Sequence, residues 1–166
     1  KRQGTCEAAT RFALRSGDAS RGRDEIAIAA KLVHNWLVEA AAAGRRVRPL
    51  GAGWSPSNIN IASQCWLLHT RRFNRCFRIS AADVRPGVDA GALMLVEAGA
   101  LVDEVSDKLE AQGRSLWTSG AGNGQTFAGA AATGTHGSMI ASGGLQDHIR
   151  AVQIVTPAGV HWIEPA

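Results

Sequence analysis

The sequence predicts an α+β chain organised in two lobes. Three observations carry this. Amphipathic helical segments alternate with short strand-like runs, two loops are built almost wholly of small residues, and the chain closes on a hairpin signature. With 166 residues, 45 % of them hydrophobic and 19 % charged, the chain has the length and composition of one globular domain with a real core.

The elements follow in order. Residues 1–23 are polar and rich in Arg, Ser and Gly, and read as an N-terminal arm. Asp24 is an N-cap candidate for a helix running to about Ala43. Its apolar positions Ile26, Ala29, Val33, Trp36, Leu37 and Ala40 keep helical spacing, and Gly44 supplies the stop. Val47–Leu50 is a strand. Trp66–Leu68 and Cys76–Ile79 are two more, joined by the polar stretch His69–Arg75. Pro86-Gly87 marks a turn before the strand Ala92–Gly99. A second amphipathic helix spans Leu101–Gln112, with Val102, Val105 and Leu109 inward and Gly113 closing it. Ser115–Trp117 reads as a short strand. Ile149–Val155 and Val160–Ile163, joined by Pro157-Ala158-Gly159, form the terminal hairpin.

The densest signal lies in Thr118–Ser138, TSGAGNGQTFAGAAATGTHGS. Six glycines and seven alanines or serines fall in 21 residues without one Lys, Arg, Asp or Glu. Such a backbone packs closely and turns sharply around whatever it meets. The apolar run Phe127–Ala132 argues against an exposed linker. The stretch reads as a loop whose amides face a ligand, followed by one or two helical turns whose start offers N–H groups to an anion. A second loop, Pro49–Asn58, follows the first strand with Gly51-Ala52-Gly53 and then Ser55. Backbone donors aimed at phosphate are again the natural reading. Two such loops fit a ligand with two phosphates better than either alone.

Commoner signatures fail. Gly51-x-Gly53 is followed by Pro56, and Gly120-x-Gly122 by Gln125, where a third glycine would complete a Rossmann fingerprint. No Gly-Lys-Ser/Thr P-loop and no G-x-S-x-G nucleophile elbow occurs. The histidines at 34, 69, 136, 148 and 161 have no metal-ligand spacing, so no metal is expected. Cys6, Cys65 and Cys76 show no redox or metal spacing and read as buried or inert thiols. Residues 1–80 carry a balance of +9 and residues 81–166 one of −5. The arginines are scattered and Tyr is absent, so a solvated basic face that assists an anionic ligand is expected rather than a nucleic-acid surface. No apolar run is long enough to span a membrane, and there is neither an initiator Met nor a signal-peptide core. A soluble, cytoplasmic chain starting at a processed or artificial boundary is expected.

The remaining residues point to a family. Arg46–Ser55, RVRPLGAGWS, resembles the first pyrophosphate loop of the vanillyl-alcohol oxidase-type flavoproteins, and Gln125–Ser138, QTFAGAAATGTHGS, looks like their second. Ile149–Thr156 resembles the hairpin strand that follows. The similarity is closest to the aldonolactone and alditol oxidase branch and covers about residues 24–163. It implies a two-lobed PCMH-type FAD-binding domain, incomplete at its C-terminus. The first lobe would span 24–80 and the second 81–166, with the substrate domain absent. The implied cofactor is FAD. It would be held by Gly51, Ala52, Gly53, Trp54 and Ser55 of the first loop, and by Gly122, Asn123, Gln125, Thr126, Gly129, Thr133, Gly134, His136 and Gly137 of the second. The hydroxyls of Ser55, Thr126 and Thr133 can add donors. His136 either faces the flavin or pins its loop. Many relatives carry, where Trp54 stands, a His bonded to the flavin 8α-methyl, so non-covalent FAD is expected.

The resemblance further implies a flavin-dependent oxidoreductase acting on a CH–OH group of a sugar lactone or polyol. The small-molecule alcohol would bind through the missing domain, and no catalytic residue is assigned. A dehydrogenase that excludes O₂ is a rival within the enzymes. A non-catalytic nucleotide-binding or interaction module that keeps the fold is a rival outside them. The segment alone is expected to be inactive and to self-associate.

Overall fold

The computed structural model describes residues 7–8 and 22–165, with side chains from Glu25 onward. Most of the expected arm, and the side chain of the proposed cap Asp24, lie outside the described residues. The chain divides into two compact units, residues 1–72 with 149–166, and residues 73–148.

In the first unit a helix α1 spans Gly22–Ala42, beginning two residues before Asp24. Ala29, Trp36 and Ala40 are buried along one stripe, as the spacing requires. The helix closes with the Arg45 amide donating to Ala40 O (2.8 Å) and that of Gly44 to Ala41 O (3.0 Å). Paired bonds of this kind satisfy the last carbonyls of a helix. A three-stranded parallel sheet is ordered β1 (Glu7–Ala8), β3 (Cys65–His69), β2 (Arg46–Leu50). Strand β1 was not expected, because two residues inside a polar arm carry no periodicity to read. Trp36 of α1 lies against Trp66 of β3, ring centroids 5.4 Å apart, and joins helix to sheet.

Parallel neighbours need a long crossover, usually a helix. Here residues 51–64 make the connection without one. The small-residue loop is therefore the crossover itself, and Thr70 Oγ1 fastens its root by donating to Leu50 O (3.1 Å).

The hairpin β6 (Val152–Thr156) and β7 (Gly159–Ile163) pairs Val152 with Ile163 and Val155 with Val160. It belongs to the first unit, where the His34 ring nitrogen Nδ1 lies 2.9 Å from Thr156 O. This departs from the expected division at 80/81, which put the hairpin in the second lobe. Chain order does not reveal that α1 is the element the hairpin packs on.

The second unit holds β4 (Cys76–Arg78) antiparallel to β5 (Met94–Val96). Strand β5 is shorter than the expected Ala92–Gly99, because Ala90–Ala92 turns as a 3-10 helix after Asp89 Oδ1 accepts from the Gly91 amide. Helix α2 spans Val102–Glu110 and α3 spans Phe127–Ala132. The expected strand Ser115–Trp117 does not form; these residues run irregular and Trp117 is exposed. The core gathers Val102, Ala130, Ala131 and Leu145, with Leu116 and Phe127 at its edge. Part of the alanine run thus serves close packing of α3 on its own unit. Glu97 is buried and carries a fork from Arg75: the amide and Nε donate to Oε2 (2.8 and 3.0 Å) and Nη2 to Oε1 (2.7 Å). A buried carboxylate is tolerable only when paired in this way.

One correction concerns the cysteines. Cys65 is disulfide-bonded rather than an inert thiol, while Cys76 is free. Sequence spacing could not show this, since a disulfide needs only proximity in space. Among the described residues no helix is long and apolar enough to cross a membrane.

Candidate functional site

Two loops carry the candidate residues, one in each unit. In the first unit the crossover Gly51–Asn58 is exposed apart from Gly51. Gly53 has φ +75°, and a Cβ there would meet no atom within 4 Å. The backbone at Gly53 is left-handed with open space before it, the conformation that glycine adopts at no steric cost. Trp54 is 57 % exposed, so it is not part of that unit's core. Ser55 Oγ accepts from the Ser57 amide (3.4 Å) and lies 3.1 Å from Ser57 Oγ. Its hydroxyl is engaged in a local turn, and Ala52 presents only backbone.

In the second unit the loop is laced to the start of α2. Val102 and Asp103 donate their amides to Gln125 O (3.0 Å) and Asn123 O (3.1 Å), and Phe127 donates to Ala100 O (2.7 Å). The Leu101 amide donates to Glu104 Oε2 (2.8 Å) and that of Glu104 to Asp103 Oδ1 (2.7 Å). The first amides of α2 are therefore spent on the loop and on its own carboxylates. The expected anion site at the start of α3 also loses its leading donor, since the Phe127 amide is taken. With six residues, α3 sums few peptide dipoles.

The small residues fall into two groups. Close approach explains Gly129 and Gly137. A Cβ at Gly129 would come within 2.8 Å of Thr126 Oγ1, and one at Gly137 within 2.8 Å of Ser119 O. Conformation explains Gly134, with φ +68° and open space in front. The Gly137 amide donates to Thr118 Oγ1 (2.9 Å). Thr118 is buried and pins the loop's far end from below, a role the sequence reading missed. Its only signal was its place as first residue of the small-residue run.

Among the proposed hydroxyl donors, Thr133 Oγ1 already donates within α3, to Gly129 O (3.1 Å) and Ala130 O (3.2 Å). Thr126 is the N-cap of α3, is buried, and makes no side-chain cap bond. The His136 ring nitrogen Nδ1 lies 2.8 Å from Gly137 O, and its backbone bridges to Gly144. The His136 ring thus makes a side-chain-to-backbone contact within its own loop. Gly122 is half-buried. Asn123 Oδ1 and Gln125 Oε1 are shielded from solvent and meet no donor.

Residues 30–163 match the family model described as FAD binding domain. Over 117 residues the chain is 37 % identical to a provisionally named D-arabinono-1,4-lactone oxidase of Neurospora crassa, covering 70 % of this chain and 19 % of that protein. It is 32 % identical over 115 residues to an L-gulonolactone oxidase of Scyliorhinus torazame, covering 69 % and 24 %. It is 28 % identical over 127 residues to an L-gulonolactone oxidase of Bos taurus, covering 76 % and 27 %. The chain thus spans a fifth to about a quarter of the length of these relatives. The family and branch inferred from the loop residues agree with these matches.

Proposed function

The chain belongs to the FAD binding domain family, and from that premise we propose that it is the FAD-binding part of a flavin-dependent oxidoreductase acting on a sugar lactone or related polyol. The substrate class follows the relatives, which are named for D-arabinono-1,4-lactone and L-gulonolactone. In this reading each compact unit carries one of the two small-residue loops, each suited by itself to contact a part of FAD.

The residues fit the cofactor. Gly53 and Gly134 present bare backbone to open space, which suits close approach of a pyrophosphate. The observation that carries the reading is the second loop. It lies inside the family match, is held rigidly to residues 100–103 by backbone bonds, and yet keeps two buried side-chain acceptors without a donor. A loop built only for packing would pair or exclude such atoms.

FAD, when bound, would supply the redox chemistry. This chain's residues bind and orient it. The backbone of Gly53 and Gly134 admits the dinucleotide, Thr118 and His136 hold the second loop in shape, and exposed Trp54 offers an apolar ring beside the first. Titration with FAD, followed by quenching of flavin fluorescence, tests the reading. Saturable binding of one FAD per chain is the expected result. A chain that binds neither FAD nor ADP would favour the rival, a module that keeps the fold without the cofactor.

A further inference from the structure

The second loop contains a contradiction that its packing does not resolve. The backbone carbonyls of Asn123 and Gln125 are engaged, accepting from the amides of Asp103 (3.1 Å) and Val102 (3.0 Å). Their side-chain oxygens are shielded and accept from nothing. A buried acceptor without a donor forfeits its hydration and gets nothing in return. Two of them, two residues apart on a pinned strand of loop, mark a place where the fold expects hydrogen-bond donors from outside. Each residue as a whole is half-buried, so neither side chain is sealed in the core of its unit.

The chemistry of the missing partner is constrained. An amide oxygen only accepts, and an ionised pyrophosphate also only accepts, so the two cannot pair. The rest of FAD is rich in donors. The ribityl chain and the ribose carry hydroxyls, adenine carries an amino group, and the isoalloxazine carries one N–H. We propose that the side-chain oxygens of Asn123 and Gln125 accept from a hydrogen-bond donor of FAD, an O–H or N–H of its riboflavin half or its adenosine half, and do not meet the pyrophosphate. The proposal rests on the FAD reading above. It gives these two residues a different task from the glycines around them, reading which molecule carries the diphosphate rather than holding the diphosphate.

The test uses two kinds of variant. Asn123→Leu and Gln125→Met remove the acceptor while keeping side chains of similar length. Asn123→Asp and Gln125→Glu keep the acceptor and remove the amide N–H. Dissociation constants for FAD, riboflavin and ADP are measured on the full chain, together with the melting temperature of the ligand-free protein. The apolar variants should bind FAD about tenfold more weakly. Their ligand-free melting temperature should hold or rise, because an orphaned acceptor has gone. The acidic variants should keep FAD affinity within about threefold, since a carboxylate accepts from the same donor. A loss shared with riboflavin assigns the flavin half, and one shared with ADP assigns the adenosine half.

Three results overturn the proposal. Apolar variants that bind FAD like the parent would show the oxygens to be irrelevant to the ligand. Acidic variants that lose as much affinity as the apolar ones would place a phosphate, or a contact through the amide N–H, at these residues. A lowered ligand-free melting temperature in the apolar variants would show that the oxygens serve the fold, through a bound water or a neighbour. A parent chain that binds none of the three ligands would instead fail the FAD reading itself, and the proposal with it.

Discussion

Cys76 illustrates how one residue's surroundings set its chemistry. Burial on β4, reinforced by the negative charge of Glu104, raises its thiol from 9.0 to about 11. Lys108 opposes this weakly. The thiolate is the reactive form, so at pH 8 native Cys76 should react with iodoacetamide about a hundredfold more slowly than a thiol of ordinary acidity. Mass spectrometry of the alkylated protein checks this, with the rate recovering in denaturant. Full labelling of the native chain within minutes would contradict the burial. The linkage has a defined sign. The fold favours the protonated thiol, so this contribution to stability is complete below pH 9 and is lost as pH rises toward 11. Trp54 carries a second prediction at this scale. Its indole has no imidazole nitrogen with which to alkylate at the flavin 8α-methyl, and it is 57 % exposed beside the first loop. FAD bound by this protein should therefore wash away after acid precipitation, leaving a colourless pellet. Flavin fluorescence retained on the denatured band in a gel would reveal a covalent link elsewhere.

At the scale of elements, the second loop shows why small residues are not interchangeable. Gly134 and Gly113 have nearly the same backbone, φ +68° and +65°, and both face open space. Alanine at either site meets the same conformational penalty, about 1 kcal/mol. Only Gly134 belongs to the proposed cofactor loop; Gly113 follows α2. Gly134→Ala and Gly113→Ala should therefore lose similar stability in urea, while Gly134→Ala alone weakens FAD binding. Equal FAD affinity in the two variants would remove Gly134 from the site. The alternation of helix and strand was legible from periodicity. Trp36 and Ala40 are buried, Val102 and Val105 are buried, and the hairpin turns at Pro157–Gly159 as expected. Strand Ser115–Trp117 was misread because three residues, two of them apolar, lack the length to distinguish a strand from an irregular segment with one exposed Trp.

For the molecule as a whole, the terminal hairpin is the apolar surface to test in solution. Val152, Ile154, Val160, Trp162 and Ile163 are each about 40–56 % exposed on a sheet that has two strands among the described residues. Two strands alone are marginal in water, and unpaired edges recruit other chains. Light scattering of the chain should show concentration-dependent self-association, reduced by Ile154→Lys with Trp162→Lys. A monodisperse monomer at high concentration would mean that the exposed hairpin is tolerated as it stands. The sequence by itself determined the helices, the hairpin and the two small-residue loops, because periodicity and glycine content are local properties of the chain. It also carried the family, because both loop strings resemble those of the flavoproteins and lie inside the matched residues 30–163. Tertiary structure alone decided that the first loop is a crossover between parallel strands and that the hairpin joins α1. It alone showed that Thr133 and the Gly137 amide are spent internally while the oxygens of Asn123 and Gln125 are not. Whether a polar atom is free depends on partners distant in the chain, such as Thr118 for Gly137 or Ala100 for Phe127, and no local pattern records them.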